Sequence, residues 1–227
     1  MSDHEELIEK LGAHYNETFE KHGATEKGVD WGPDPADHIL RLDRMLAVAD
    51  RGFVAQPSLL DVGCGYGSLY ERMLKKGDKL SYTGVDLSNA MIELARARHP
   101  EAKWMACNVL DLPSEPQADY VVCNGVLTQK LSNSQSSMDA FLKRLVKHMY
   151  AMARVGIAFN VMSTHVNFTA DNLYYRNPAE LLGWCMSEVT PRVRLDHAYP
   201  LYEYTLYLYR PDAAGIYYGS HREGSQL

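Results

Sequence analysis

Residues 59–67 read Leu59-Leu60-Asp61-Val62-Gly63-Cys64-Gly65-Tyr66-Gly67. A short apolar run that ends in alternating glycines is a buried strand meeting a loop. Without Cβ atoms, the backbone of that loop can pass close to a ligand. The helical stretch that follows, Ser68 to Lys76, offers its free N–H groups and positive dipole end to the same ligand. A second carboxylate, Asp86, ends the next strand. About twenty residues beyond such a loop, a carboxylate is placed to accept hydrogen bonds from both hydroxyls of a ribose.

The rest of the chain is consistent with this unit. Leu7, Ile8, Leu11 and Tyr15 fall at helical spacing, and a second helix is predicted from Pro35 to Asp50, with Ile39, Leu40, Met45, Leu46 and Val48 turned inward. Strands are predicted at Ser58–Val62, Leu80–Val85, Lys103–Ala106, Asp119–Cys123 and Val155–Asn160, separated by helices at Ser68–Lys76, Ser88–Arg98 and Met138–Met152. This alternation indicates a doubly wound α/β fold, with a mostly parallel sheet covered on both faces. A further helix, Pro178–Glu188, precedes two strands, Arg192–Tyr199 and Tyr202–Tyr209, joined by a Pro200-Leu201 turn. So short a connection makes them antiparallel, which brings the expected sheet to seven strands. The expected division is a single domain over 1–210: an N-terminal helical addition (1–52), a cofactor-binding core (58–161) and a substrate-side segment with the hairpin (162–210). A polar tail, 211–227, is expected to be loosely ordered, and Asn133–Ser137 reads as a mobile loop.

With 227 residues, 46% of them hydrophobic, the chain can bury a sizeable core. No apolar run approaches the roughly 20 residues that span a bilayer, and the acidic start Met1–Glu6 lacks the features of a signal peptide; a cytoplasmic location and no membrane partner are expected. A formal charge of −6 without a dense Lys/Arg cluster argues against nucleic acid as partner. The four cysteines form no C-x-x-C pair, so no metal is expected.

Two details separate the loop from a dinucleotide site. The third glycine comes one residue earlier than in G-x-G-x-x-G, and Asp61 precedes the first. A doubly negative pyrophosphate would be repelled there, whereas the sulfonium and ammonium groups of S-adenosylmethionine suit a carboxylate. Asp61–Gly67 resembles the D-x-G-x-G-x-G first motif of class I S-adenosylmethionine-dependent methyltransferases of the small-molecule type. Gly84-Val85-Asp86-Leu87-Ser88 with Met91, Asn108–Pro113 and Asp119–Gly125 resemble the next three motifs in order. The resemblance implies the Rossmann-like methyltransferase fold, including the antiparallel hairpin. It implies that Gly63, Gly65 and Gly67 make room for the methionine part and that Asp61 sits near its amino group. Asp86 would hold the ribose, Leu87 and Met91 would flank the adenine, Asn108 and Val109 would contact its edge, and Asn124 would lie close to the reacting centre. Asn108 departs from the more usual Asp; its carbonyl can still accept from the adenine amino group.

The substrate side is expected to be built from the N-terminal helices, the loop after the fifth strand and the hairpin. Tyr15, Trp31 and Arg41 are expected to reach the cofactor from the N-terminal side. His38 and Arg41 are placed to reach the cofactor carboxylate or the acceptor, although an exposed helical face explains them equally well. With Asn124, His165 and His197 are the catalytic candidates; structural or solvent-exposed positions are the alternative for both histidines. The place after the fourth strand reads Asn124-Gly125-Val126-Leu127, without the Pro-Pro-aromatic run of base-amine enzymes. The expected function is methyl transfer to an oxygen or nitrogen of a small molecule, such as a sugar or secondary metabolite, with S-adenosylhomocysteine as product, by a monomer or homodimer. The rivals are a nicotinamide-dependent oxidoreductase, a non-catalytic cofactor-binding protein and a nucleic-acid or protein methyltransferase.

Overall fold

The computed structural model describes residues 3–32, 34–50 and 54–211; the expected tail lies outside them apart from Pro211. Two helices come first, α1 (Asp3–His22) and α2 (Pro35–Leu46). The core then runs β1 (Ser58–Val62), α3 (Ser68–Lys76), β2 (Ser81–Asp86), α4 (Asn89–Arg98), β3 (Lys103–Ala106), β4 (Ala118–Cys123), α5 (Gln135–Met152) and β5 (Ala153–Ser163). The last third adds β6 (Tyr175–Arg176), α6 (Pro178–Glu188), β7 (Val193–Asp196) and β8 (Glu203–Tyr209).

Local chemistry sets the helix starts. Asp34 accepts from Ala36 N at 2.8 Å with Pro35 in the first turn of α2. Ser88 Oγ accepts from Met91 N ahead of α4, and Asn177 Oδ1 from Ala179 N ahead of α6. Each side-chain oxygen satisfies a backbone donor that the helix leaves open. The same rule corrects the expected loop at Asn133–Ser137. Ser134 Oγ accepts from Ser137 N at 3.0 Å, so α5 begins at Gln135 rather than Met138.

The strands form one sheet in the order β3-β2-β1-β4-β5-β8-β7. Pairings from β3 to β5 are parallel, and β8 runs antiparallel to both β5 and β7. The doubly wound sheet and its antiparallel end therefore stand as expected. β6 is additional: two residues pair parallel with Met162 and Ser163 at the end of β5. The hairpin turn is longer than expected. Pairing stops at Asp196–Thr205, and residues 197–202 form the connection. Tyr199 turns back there, its hydroxyl 3.0 Å from Thr205 Oγ1.

Successive strand residues point to opposite faces, and both faces are buried. Leu60, Val62, Val121 and Cys123 pack with α1, α5 and α6. Leu59, Tyr82, Tyr120 and Val122 pack with α2, α3 and α4. On α2 the buried residues are His38, Leu42, Met45 and Leu46, while Ile39 is 42% exposed, contrary to the expected inward set.

Trp104 of β3 lies over Gly84 of β2, and its ring packs on Tyr82 and Tyr70 at 5.3 and 5.8 Å between centroids. A Cβ at Gly84 would stand 2.7 Å from the Trp104 ring and from Cys64 Sγ. Overpacking of this kind costs about 1–3 kcal/mol. Gly84→Ala is therefore expected to lower the thermal midpoint by several degrees. Calorimetry showing no loss would mean that Trp104 is free to move.

Candidate active site

A cavity opens at the carboxyl ends of β1 to β4. This is where the sheet order reverses, with the crossover from β1 leading to β2 on one side and β4 lying on the other. Such a reversal leaves a crevice between diverging loops. The N-terminal segment covers it. Ile8, Leu11, Gly12 and Tyr15 come from α1, Val29 from the short 3-10 helix Glu26–Val29, Trp31 from the following loop, and His38 and Leu42 from α2.

The glycine loop is tight. Gly63 N and Cys64 N both donate to Val85 O, at 2.8 and 3.1 Å. Gly63 has φ 73°, and a Cβ there would meet Val126 Cγ2 at 2.3 Å. Gly63 and Gly65 line the cavity. Gly67 does not; with φ 96° it caps α3 and leaves room for Trp104. Its glycine requirement is conformational.

Two carboxylates define the electrostatics. Asp61, 2% exposed, accepts from Tyr82 Oη at 2.6 Å. Burial pushes its pKa up to about 7, against the lowering effect of that hydrogen bond. Asp86 is half-buried and accepts from Gly65 N and Ser88 N, each at 2.8 Å. Burial raises its pKa as well, while these bonds and one from Leu87 N hold it down.

Leu87, Met91, Asn108 and Val109 all line the cavity. Asn108 also caps a short 3-10 helix, its Oδ1 accepting from Leu110 N at 3.1 Å. Asn124 lines the cavity with its buried Oδ1 unpartnered. Tyr15 Oη reaches Gly125 O at 3.4 Å, and Trp31 fills the space where a Gly125 Cβ would stand, 2.6 Å away.

Three sequence candidates are placed elsewhere. Arg41 does not line the cavity. It donates to both carboxylate oxygens of Glu203 at 3.1 Å and lies over the Trp31 ring at 4.2 Å. Glu203 is 1% exposed and accepts from Asn160 Nδ2, while Asn160 Oδ1 accepts from Gly125 N at 2.8 Å. Arg41 thus supports Trp31 and the loop after β4. His165 and His197 face each other at 6.3 Å between ring centroids, beyond the end of β5, with His197 against Tyr204. His165 follows the end of β5 at Ser163, His197 opens the connection from β7 to β8, and neither lines the cavity. Sequence reasoning left His38 undecided; the structure buries it, 6% exposed, in the cavity wall. The i, i+4 spacing of His38 and Leu42 after an Asp34-Pro35 helix start was the signal for it.

A glycine-lined cradle, one buried and one half-buried carboxylate and an unpartnered amide oxygen fit a ligand with cationic groups and a ribose. The fold and this site define a class I S-adenosylmethionine-dependent methyltransferase. A family model for the methyltransferase domain matches residues 59–150. The protein named "Putative methyltransferase Rv1506c" of Mycobacterium tuberculosis is 31% identical over 151 residues, covering 66% of this chain and 90% of that protein. The trans-aconitate 2-methyltransferase of an Enterobacter species is 38% identical over 69 residues, 30% of this chain and 27% of that protein. Among solved structures, a Burkholderia thailandensis 1,6-didemethyltoxoflavin-N1-methyltransferase, bound to 1,6-didemethyltoxoflavin and S-adenosylhomocysteine, superposes with a TM-score of 0.62 at 16% identity, over 92% of this chain and 91% of that one. The chain belongs to the class I family, is an enzyme, and uses S-adenosylmethionine. Among the described residues no helix is long and apolar enough to cross a membrane, and no three His, Cys, Asp or Glu side chains converge on a metal site.

Removing one member of a buried ion pair costs about 3–5 kcal/mol, because the other charge is left uncompensated. Glu203→Gln should show a destabilisation of that order in urea unfolding. The double variant Arg41→Met/Glu203→Gln should recover part of it. A double variant no more stable than Glu203→Gln alone would show that the pair is not the coupled unit described.

Proposed function

We propose that this enzyme methylates an oxygen or nitrogen of a small molecule, and that the cavity residues divide the work as follows. Gly63 and Gly65 leave space for the methionine part of S-adenosylmethionine, and Asp61 faces its ammonium group. Asp86 takes the ribose hydroxyls. Leu87 and Met91 enclose the adenine, with Asn108 and Val109 at its edge. Asn124, Tyr15 and Trp31 border the reacting centre and the acceptor. The cofactor supplies an electrophilic methyl group, and the protein aligns an acceptor with it and excludes water. The single observation that carries this assignment is Asp61: a buried carboxylate that accepts a hydrogen bond from the neutral hydroxyl of Tyr82, in a cavity lined mainly by apolar groups. Such a group favours a cationic ligand, and it disfavours the pyrophosphate of the nicotinamide rival. A covering of Tyr15, Trp31 and apolar side chains suits a small acceptor. The Burkholderia 1,6-didemethyltoxoflavin-N1-methyltransferase shares the fold of this chain.

The linkage of Asp61 gives the test. Its folded pKa is about 7, against an ordinary 3.8, so between those values the unfolded chain holds fewer protons than the folded one. The unliganded protein therefore loses stability as pH rises through that window. Over the same range ionisation of Asp61 strengthens binding of a cation. Calorimetric affinity for S-adenosylmethionine is expected to rise from pH 6 to 8 and then level off. Asp61→Asn should flatten that rise, weaken binding about tenfold at pH 8, and stabilise the unliganded protein there. Asp86→Ala should weaken binding on the order of 100-fold. Unchanged affinity in both variants would remove the assignment.

A further inference from the structure

Of the buried polar side chains in the cavity wall, His38 is the one whose chemistry the cofactor does not account for. Its ring is 6% exposed, and neither Nδ1 nor Nε2 has a hydrogen-bond partner. Buried imidazoles ordinarily place at least one nitrogen on a partner. Here the neighbours are the Trp31 ring, 6.4 Å between centroids, and the apolar cavity lining. The other unpartnered polar atom in the lining is Asn124 Oδ1, at the end of β4. Two unsatisfied polar side chains in the lining of one cavity mark the place where a ligand with hydrogen-bonding groups completes the structure.

We propose that His38 is the proton acceptor for a neutral hydroxyl- or NH-bearing substrate seated in the part of the cavity lined by Trp31, His38 and Asn124. This rests on the cofactor assignment above. The acceptor oxygen or nitrogen forms its bond to the methyl carbon and loses its proton to the free imidazole nitrogen of His38. The electron pair of the broken carbon–sulfur bond stays on sulfur, giving S-adenosylhomocysteine. The imidazole is set up to begin the step neutral. Burial lowers its pKa most, and Arg41, one turn along α2, lowers it further. Glu26, from the covering 3-10 helix, opposes them. Glu203 of β8 lies beyond Arg41 and neutralises it.

The same arrangement disfavours a carboxylate as the methylated group. A carboxylate needs no base at neutral pH, and the charged side chains in the cavity lining, Asp61 and Asp86, are both acids. The cation nearest to Trp31, Arg41, has both Glu203 oxygens on it.

The test compares full-length wild type with His38→Gln, which keeps polarity and approximate volume. Imidazole nitrogen resonances of the S-adenosylhomocysteine complex, assigned by the variant, are recorded from pH 5.5 to 8.5 with and without catechol as a neutral hydroxyl probe. The His38 ring is expected to titrate below the ordinary histidine range and to shift with catechol. Product release is then assayed with catechol, other phenols and trans-aconitate. His38→Gln should bind S-adenosylmethionine within twofold of wild type yet lose about 100-fold or more in turnover of a hydroxyl acceptor. At saturating S-adenosylmethionine, where the Asp61 dependence of cofactor binding is removed, the acid limb of the wild-type turnover profile should disappear with it. A His38 ring that titrates like a solvent histidine and ignores catechol overturns the proposal. So does hydroxyl methylation that His38→Gln leaves intact, or turnover of trans-aconitate alone. Loss of S-adenosylmethionine binding by the wild type would instead sink the cofactor assignment beneath it.

Discussion

The reversal of strand order between β1 and β4 is the constraint on which the rest of this structure depends. A parallel sheet with both faces covered has its connections on the faces, so the carboxyl edge is exposed only where the connections diverge. The groups described for the site follow from that one edge. Asp61 and the glycine loop end β1, Asp86 ends β2, Asn108 follows β3 and Asn124 follows β4. An edge lined with carboxylates and backbone amides is hydrated unless something covers it. Here the cover is supplied by the N-terminal helices, and burial at this edge raises the pKa of Asp61.

The cover is tied down by polar chains rather than by apolar packing alone. Asp30 adopts the left-handed conformation, φ 59°, at a cost of roughly 1–2 kcal/mol for a non-glycine residue. Its Oδ2 accepts from Gln129 Nε2 at 2.6 Å and pairs with His14 Nε2 at 2.9 Å. Gln129, 5% exposed, in turn accepts from Asn172 Nδ2. On the other flank Arg41, Glu203 and Asn160 lead to Gly125 N. These two chains fix α1 and α2 to the loops after β4 and β5. Trp31 lies between them, with Arg41 on one face and Gly125 against its edge. Geometry at Asn124 and Gly125 is thereby coupled to the far end of the sheet at β8.

What was legible in the sequence was local. The glycine loop, the strand ends at Asp86 and Asn124, and the helix starts at Ser68 and Pro178 depend on residues within a few positions of one another. A single sequence displays those relations directly. Long-range partners were not legible. Nothing in Arg41 or Glu203 taken separately indicates that residues 162 positions apart close on each other. Arg41, expected at the cofactor or on an exposed helical face, is held by Glu203 and lies over Trp31. The placement of His165 and His197 outside the cavity lining was not legible for a related reason. Histidine composition in a loop does not say which way the loop turns, and the partner each ring finds, Tyr204 against His197 and His197 against His165, lies in a segment distant in sequence or across a connection. Turn length in the hairpin was misjudged because Tyr199 has a partner in Thr205 that outweighs continued strand pairing.

Satisfied and unsatisfied polar atoms in the interior separate support from chemistry. Asn160, Gln129 and Glu203 are as buried as His38, yet each has its hydrogen bonds made within the protein. Their role is complete in the unliganded fold, and ligand binding adds nothing to them. His38 and Asn124 carry the opposite signature: they are held in the cavity wall by packing, with polar atoms lacking partners. An unmade buried hydrogen bond costs about 1–3 kcal/mol, and a fold selected for stability alone would place an apolar side chain there. The same reasoning applies to Asp61, a carboxylate kept where burial makes its charged form costly. Asp61, His38 and Asn124 are thus the positions in the cavity lining where polar groups are kept at a cost in stability.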